Sequence, residues 1–275
     1  MHLVDTHCHI NMMVKKDFDR VLTEQELVAA GGIVEQAHTQ NVRTIINVGT
    51  SLIESKNCVE IARRYKSCYA TIGIHPNDAT EQWMDDLKEL QHLACRKQEL
   101  NIVGIGECGI DKHYPEYNLR RQKDVFKAQI ELALEHDLGL VIHTRDAGDE
   151  TLTCLEEFAH ESSLRGTIHC FSEDLDFAHQ AIAMGFVLGL GGTITYPKNV
   201  ELRDVAQRVK LDDIILETDA PFLPPQPMRG QPNHPRHIAY IAEYLADLRS
   251  VSVEEIALQT TINVQRIFGV PREGR

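Results

Sequence analysis

The sequence has no excess of basic residues: 28 Lys and Arg stand against 41 Asp and Glu among 275 residues, a formal charge of −13. Proteins that wrap duplex DNA through many phosphate contacts are usually basic, so a long duplex footprint is excluded. Contact with nucleic acid would have to be local, made by a small basic patch and by metal cations that offset nearby carboxylates. That favours ends or short single strands. No two of the seven cysteines are spaced as CxxC, and seven is an odd number, so a disulfide framework is excluded and a reducing, cytoplasmic setting is expected. No apolar run reaches the roughly 18 residues that a membrane span needs, so no membrane partner is expected. The opening residues, Met1-His2-Leu3-Val4-Asp5, have neither the basic n-region nor the apolar h-region of a secretory signal, so none is expected. Repeats, low-complexity tracts and linkers are missing too, and residues 1–275 are read as a single domain. A chain this long can bury a large core unaided, so a bound metal would serve chemistry rather than folding.

What is present is an alternation. Short apolar runs fall near Leu3–His9, Arg43–Gly49, Cys68–His75, Asn101–Cys108, Gly139–Arg145, Gly166–Phe171, Phe186–Thr193 and Asp213–Asp219. They are continuous rather than alternating, as buried parallel strands are. Amphipathic stretches separate them: in Gln122–His136, Val125, Phe126, Gln129, Ile130, Leu132 and Ala133 keep the i, i+3, i+4 spacing of a helix. Eight strand–helix units predict an α/β fold, a (β/α)₈ TIM barrel. A doubly wound open sheet is the alternative, with fewer strands. Ala220–Pro235 holds six of the ten prolines and must be a stiff loop after the eighth strand. Helices near Arg236–Leu248 and Val253–Phe268 follow, the second capped by Ser252.

Polar residues gather at the C-terminal ends of these runs, which in a barrel form the rim that carries the active site. His7 and His9 are two apart, so both can face the interior of a strand-built barrel. Alone, His-x-His is a weak signal. With Glu107, His143, His169 and Asp219 it makes four imidazoles and two carboxylates on one rim, where packing would have placed Val or Ile. Buried charges need partners, and metal cations are suitable ones. Six ligands exceed what one tetrahedral zinc needs and suit two cations with a bridging carboxylate. Cys8, Cys108 and Cys170 each adjoin a candidate ligand, so alternation turns all three outward as small buried hydrophobes. Arg145, two residues past His143, is either a phosphate clamp or an ion-pair partner of Asp146 or Asp149. Tyr114, within Lys112-His113-Tyr114-Pro115-Glu116-Tyr117 and ahead of Arg120 and Arg121, could stack a base; a solvated loop and helix start is the plainer reading.

Six segments, in order along essentially the whole chain, resemble the TatD family of metal-dependent deoxyribonucleases, within the amidohydrolase-like barrels. They are Val4-Asp5-Thr6-His7-Cys8-His9, Gly73-Ile74-His75-Pro76, Gly104-Ile105-Gly106-Glu107-Cys108-Gly109-Ile110-Asp111, Leu140-Val141-Ile142-His143-Thr144-Arg145-Asp146-Ala147, Ile168-His169-Cys170-Phe171-Ser172 and Leu216-Glu217-Thr218-Asp219-Ala220-Pro221. Thr260–Phe268 is similar to the family's last helix. The resemblance implies one metal on His7, His9, Glu107 and Asp219, and a second on Glu107, His143 and His169, with Glu107 bridging. It implies Asp219 as general base, and His75, Arg145 and Ser172 as phosphate or substrate contacts. Two departures fall on the substrate side: Glu173 where the family usually has Gly, and Lys112-His113 where an aromatic more often follows.

The expected function is therefore a divalent-metal-dependent phosphodiesterase, a 3′-5′ exonuclease on single-stranded DNA or RNA, working as a monomer. The competing reading is a metal-dependent amidohydrolase acting on a small cyclic amide or ester, because this barrel hosts many chemistries. A metal-binding scaffold without catalysis is disfavoured, since every ligand is present. Two divalent cations are expected, with Mg, Mn and Zn all open: imidazoles suit Zn or Mn, carboxylates and phosphates suit Mg.

Overall fold

The computed structural model describes residues 2–15 and 17–271. Eight strands form one parallel sheet in sequence order: β1 (Leu3–Cys8), β2 (Val42–Val48), β3 (Cys68–Ile72), β4 (Ile102–Asp111), β5 (Gly139–Arg145), β6 (Gly166–Ile168), β7 (Phe186–Leu190) and β8 (Ile214–Leu216). The sheet closes on itself where Cys8 bridges Ala220, Asp219 N–H donates to the His7 carbonyl (2.8 Å) and His9 N–H donates to the Ala220 carbonyl (2.8 Å). This is the (β/α)₈ barrel expected from the strand–helix alternation, with all eight strands where apolar runs predict them. The helices, in chain order, are α1 (Ile10–Val14), α2 (Glu24–His38), α3 (Leu52–Arg64), α4 (Trp83–Ala94), α5 (Lys97–Leu100), α6 (Leu119–Glu135), α7 (Gly148–Glu156), α8 (Leu175–Ala183), α9 (Val200–Arg208), α10 (Ile238–Arg249) and α11 (Val253–Phe268). None of the described helices is long and apolar enough to cross a membrane.

Alternation along the strands sorts the core into two clusters. Val4, Ile46, Val48, Val103, Val141, Val187 and Ile215 point inward, and Val264, Ile267 and Phe268 of α11 join them. Leu3, Ile45, Ile105, Ile142, Leu188 and Leu216 point outward against the helices. The helix boundaries follow local chemistry. Ser252 Oγ accepts from Glu255 N–H (3.2 Å), and Gly269 ends α11 in the left-handed conformation. Thr23 and Glu26 form a capping box on α2. The prolines after β8 break the chain into two short 3₁₀ turns, Gln226–Met228 and Pro235–His237, so α10 begins at Ile238 rather than Arg236.

The strands stop short of several site residues. Sequence continuity predicts β3 through His75, β6 through Phe171, β7 through Thr193 and β8 through Asp219. The ladders end at Ile72, Ile168, Leu190 and Leu216 instead, and β4 runs on to Asp111. Beyond β8, Asp219 adopts φ 57°, and beyond β6, Cys170 adopts φ 46°. The chain there is held by specific hydrogen bonds, not by the ladder.

One buried ion pair fixes the segment that leaves the rim after His9. Lys15 Nζ lies 2.5 and 2.7 Å from the two oxygens of Glu54 on α3, and Glu54 also accepts from Asn11 Nδ2 (2.9 Å), Asn57 Nδ2 (3.1 Å) and Asp19 N–H (3.0 Å). Burial would raise the Glu54 carboxyl, but the bonds from Lys15, Asn11 and Asn57 outweigh it and hold it below its usual range. Removing one partner leaves the other charge buried alone. Lys15→Met should therefore destabilise the fold by about 3–5 kcal/mol, and Lys15→Met with Glu54→Leu should recover part of that, both read by urea unfolding. Because the folded pKa of Glu54 is depressed, its stabilisation is present above about pH 4.3, the unfolded value, and is lost as pH falls further. Equal stability of parent and Lys15→Met would remove the pair from any structural role.

Candidate active site

The rim of the barrel opens into a cavity of about 590 Å³ lined by His9, His75, Glu107, Asp111, His143, Arg145, His169, Ser172 and Asp219, with Tyr114 and Phe222 at its edge. Glu107 stands at its centre. β4 carries it there, and Gly109, two residues on, lets β4 close on β5: its φ is 138°, and a Cβ there would strike the His143 carbonyl. Glu107 N–H donates to the Gly49 carbonyl (2.7 Å), which ties the carboxylate to the end of β2 as well.

The two oxygens of Glu107 face different partners. Oε2 lies 3.4 Å from His7 Nε2 and 3.9 Å from His9 Nε2. Oε1 lies 2.9 Å from His143 Nδ1, 3.0 Å from His169 Nε2 and 3.5 Å from His75 Nε2. Asp219 Oδ1 completes the first side at 3.4 Å from His9 Nε2 and 3.6 Å from His7 Nε2. His7 and His9 approach each other at 3.1 Å between their Nε2 atoms. Two donor groups could each hold a cation: His7, His9 and Glu107, and Glu107, His143 and His169. A third combination, His7, His169 and Asp219, overlaps both, and a fourth joins His75, Asp111 and His143.

The electrostatics of the cluster fit a cation. Burial alone would push the Glu107 carboxyl up, but His169 and His75 and the bonds from His143 and His169 hold it well below the carboxylate range. Asp219 is likewise held low, against burial, by His9 and His7. Burial keeps the His7 imidazole below its usual value, and burial with His143 beside it brings His75 down to about 3, so both are neutral. His9, His143 and His169 go the other way: burial would lower them, but the facing carboxylates raise all three. Nδ1 of His7 is buried without a hydrogen-bond partner. A nitrogen and oxygen donor set of this kind suits Zn or Mn on the imidazoles and Mg on the carboxylates.

A second layer orients the ligand types, and sequence reasoning assigned it no role. Asp111 Oδ2 lies 3.1 Å from His143 Nε2 and accepts from Asn77 Nδ2 at 3.0 Å, while Oδ1 accepts from His113 N–H at 2.8 Å. Glu217, fully buried, lies 3.5 Å from His169 Nδ1 and accepts from Cys170 N–H at 2.5 Å. His9 Nδ1 pairs with the Val48 carbonyl at 2.9 Å. Asp5 links β1 to the chain that carries Asp219, accepting from Thr218 N–H (2.9 Å), Thr218 Oγ1 (2.6 Å) and His7 N–H (3.3 Å). Burial pushes its carboxyl up to about 8. The available signal was position: Asp5 is two residues before His7, Glu217 two before Asp219, and Asp111 four after Glu107.

The remaining predicted residues divide. Arg145 makes no ion pair with Asp146 or Asp149; it lines the cavity with its guanidinium 5.9 Å from the Tyr114 ring. Ser172 is exposed on the same wall, and His75 accepts from Asn77 N–H through Nδ1 (3.1 Å), leaving Nε2 toward Glu107. The basic residues around Tyr114 are mostly engaged elsewhere: Lys112 with Glu150 (2.6 Å), His113 with Asp146 (3.2 Å) and Arg121 with Glu81 (3.4 Å). Cys8 and Cys108 sit in the outer core cluster, as alternation requires. Cys170 does not. It lines the cavity, because β6 has already ended and its left-handed backbone breaks the alternation.

Comparison with known proteins places this geometry in context. The profile of a family described as TatD related DNase matches residues 4–269. An "Uncharacterized metal-dependent hydrolase YabD" of Bacillus subtilis (strain 168) is 35% identical over 268 residues, 98% of this chain and 99% of the relative. A "3′-5′ ssDNA/RNA exonuclease TatD" of Shigella flexneri serotype 5b is 31% identical over 245 residues, 86% of this chain and 92% of the relative. The crystal structure of YJJV, a TatD homolog from Escherichia coli K12, superposes with a TM-score of 0.88 at 29% identity, covering 98% of each chain.

The Asp111–His143 contact yields a direct test. Asp111→Asn keeps the shape of the side chain but weakens the acceptor that sets the His143 ring, so divalent-metal affinity should fall roughly 10–100-fold. Titration calorimetry with Mn²⁺ reads this without any assay of activity. Parental affinity in the variant would restrict Asp111 to holding the loop at His113.

Proposed function

From the premise that the chain belongs to the TatD family of metal-dependent hydrolases, we propose that it is a phosphodiesterase that removes nucleotides from the 3′ end of single-stranded DNA or RNA. The observation that carries the two-metal form of this reading is the split environment of Glu107. One oxygen faces His7 and His9, the other faces His143 and His169. A carboxylate so placed is suited to bridge two cations, one held with His7, His9 and Asp219, the other with His143 and His169. Bound there, the cations would supply positive charge to the scissile phosphate and lower the pKa of the attacking water.

The chain's own residues do the rest. Asp219 is the general base: its carboxyl is held low by His9 and His7, so it is ionised at neutral pH, and the oxygen other than Oδ1, which faces His7 and His9, is the one to accept a proton. Its hydrogen bond to the His7 carbonyl and the left-handed turn at 219 hold that oxygen over the rim. Arg145, unpaired with carboxylates among the described residues, is placed to fork onto two phosphate oxygens as negative charge builds on them. His75, neutral through burial, can donate from Nε2 to a phosphate oxygen, since its Nδ1 accepts from Asn77. Ser172 adds a hydroxyl on the same wall. The relative from Shigella flexneri named as an exonuclease on single-stranded DNA and RNA supports the choice of substrate.

Glu107→Ala should abolish phosphodiester hydrolysis and lower bound metal, measured on bis-p-nitrophenyl phosphate and by elemental analysis. Near-parental turnover with full metal content would end the bridging proposal. Arg145→Ala should lower kcat/KM on oligonucleotides by roughly 10²–10³-fold with metal content unchanged. Arg145→Lys should stay impaired, because it keeps the charge but loses the fork. Undiminished cleavage by Arg145→Ala would show that the guanidinium does not touch phosphate.

A further inference from the structure

The cavity holds four carboxylates, Asp78, Glu107, Asp111 and Asp219, and a single permanent cation, Arg145. One scissile phosphate can be accommodated by Arg145 and the proposed metals. The neighbouring phosphates of a strand meet no further cation on the cavity wall, and the protein as a whole is acidic. Holding a strand in register therefore falls to its other chemical part, the bases.

Two aromatic rings are placed for this. Tyr114 lies on the segment after β4 and is 52% exposed; Phe222 lies on the segment after β8 and is 48% exposed; both line the cavity. In a ring of eight strands in sequence order, β4 and β8 are four apart, so the segments that carry the two rings leave opposite sides of the barrel, and both rings line the cavity. Phe222 stands on a stiff support. Its N–H donates to the Asp219 carbonyl (2.7 Å), Asn233 N–H donates to the Pro221 carbonyl (2.9 Å), and Asn233 Nδ2 donates to the Thr218 carbonyl (2.7 Å). Its ring meets His9 in a T-shaped contact, centroids 6.0 Å apart, and Leu223 beside it also lines the cavity. Tyr114 is backed by the Arg145 guanidinium at 5.9 Å.

We propose that Tyr114 and Phe222 are paired base-stacking platforms that grip the two nucleobases flanking the scissile phosphate of an unpaired strand end. The inference rests on the nuclease reading above and sharpens it. A stacked duplex cannot present successive bases to opposite walls, so the substrate has to be single-stranded or frayed at its end. Stacking on an aromatic face tolerates any base, so the site should show little sequence preference.

The test uses single-stranded oligonucleotides in which the terminal or the penultimate 3′ base is replaced by an abasic residue. For the parent protein, each replacement should raise KM roughly tenfold. In Phe222→Ala, one of the two positions should stop mattering, and in Tyr114→Ala the other. Phe222→Trp and Tyr114→Phe should restore the dependence, since a ring face is all that is required. Parental indifference to both abasic positions, or full base dependence surviving in both alanine variants, overturns the proposal while leaving the nuclease reading intact. Hydrolysis of bis-p-nitrophenyl phosphate with no cleavage of any oligonucleotide overturns both.

Discussion

A carboxylate sunk in the mouth of a barrel is unfavourable unless positive charge surrounds it. Glu107 is 4% exposed, and five imidazoles lie within 3.9 Å of its two oxygens. Imidazoles alone are a poor answer to that need. If all were protonated they would repel one another, and burial already holds His7 and His75 neutral. If all were neutral, the carboxylate would have only dipoles around it. His143 is raised toward protonation by Asp111 and Glu107, and His169 by Glu107 and Glu217, both against burial, as expected where carboxylates draw positive charge. Divalent cations meet the same demand while leaving the imidazoles as neutral ligands. If the cations sit where we propose, the family's metal dependence and the position of Glu107 would have one physical origin.

That demand explains the second layer. A ligand imidazole has two nitrogens, and whichever one is engaged elsewhere decides which one is offered. The Val48 carbonyl takes His9 Nδ1, Asp111 faces His143 Nε2 and Glu217 faces His169 Nδ1. In each case the other nitrogen is the one turned toward Glu107 or Asp219. Asp5 serves a related purpose through the backbone, joining β1 to the segment of Asp219 across the seam where the sheet closes. The acidic residues of the rim therefore fall into two groups, those that face the centre and those that aim the histidines.

The strands, the helix layer and the convergence of His7, His9, Glu107, His143, His169 and Asp219 on one rim were legible because each depends on a periodicity or on a strand end. Continuous apolar runs read as β1 to β8, and alternation placed His7 inside and Cys8 outside. Legibility failed where the ladder gives out. Two residues past Ile168 and three past Leu216, side-chain direction is set by particular hydrogen bonds, such as Cys170 N–H to Glu217, and a rule of period two turned Cys170 the wrong way. Asp111 and Glu217 stood inside the quoted motifs but had no assignable role, since a residue that aims another is recognised only by the 3.1 or 3.5 Å that separates them. Phe222 went unnoticed for a similar reason: among prolines it reads as loop, and only the fold shows that it lines the same cavity as Tyr114.

The acidic balance of the chain, which first argued against a duplex footprint, also bears on how a polyanion could be handled at all. At physiological ionic strength charges separated by more than about 8 Å are largely screened from one another. The net charge of −13 disfavours long tracts of phosphate lying along the protein. Inside the cavity the near field governs, and there Arg145 and the cations proposed for the Glu107 cluster would act on a single phosphate. Affinity for the remainder of a strand would then come from short-range contacts that salt does not screen, which the rings of Tyr114 and Phe222 can supply. On the proposed reading, such an enzyme would grip a strand end through short-range contacts rather than along an electrostatic track.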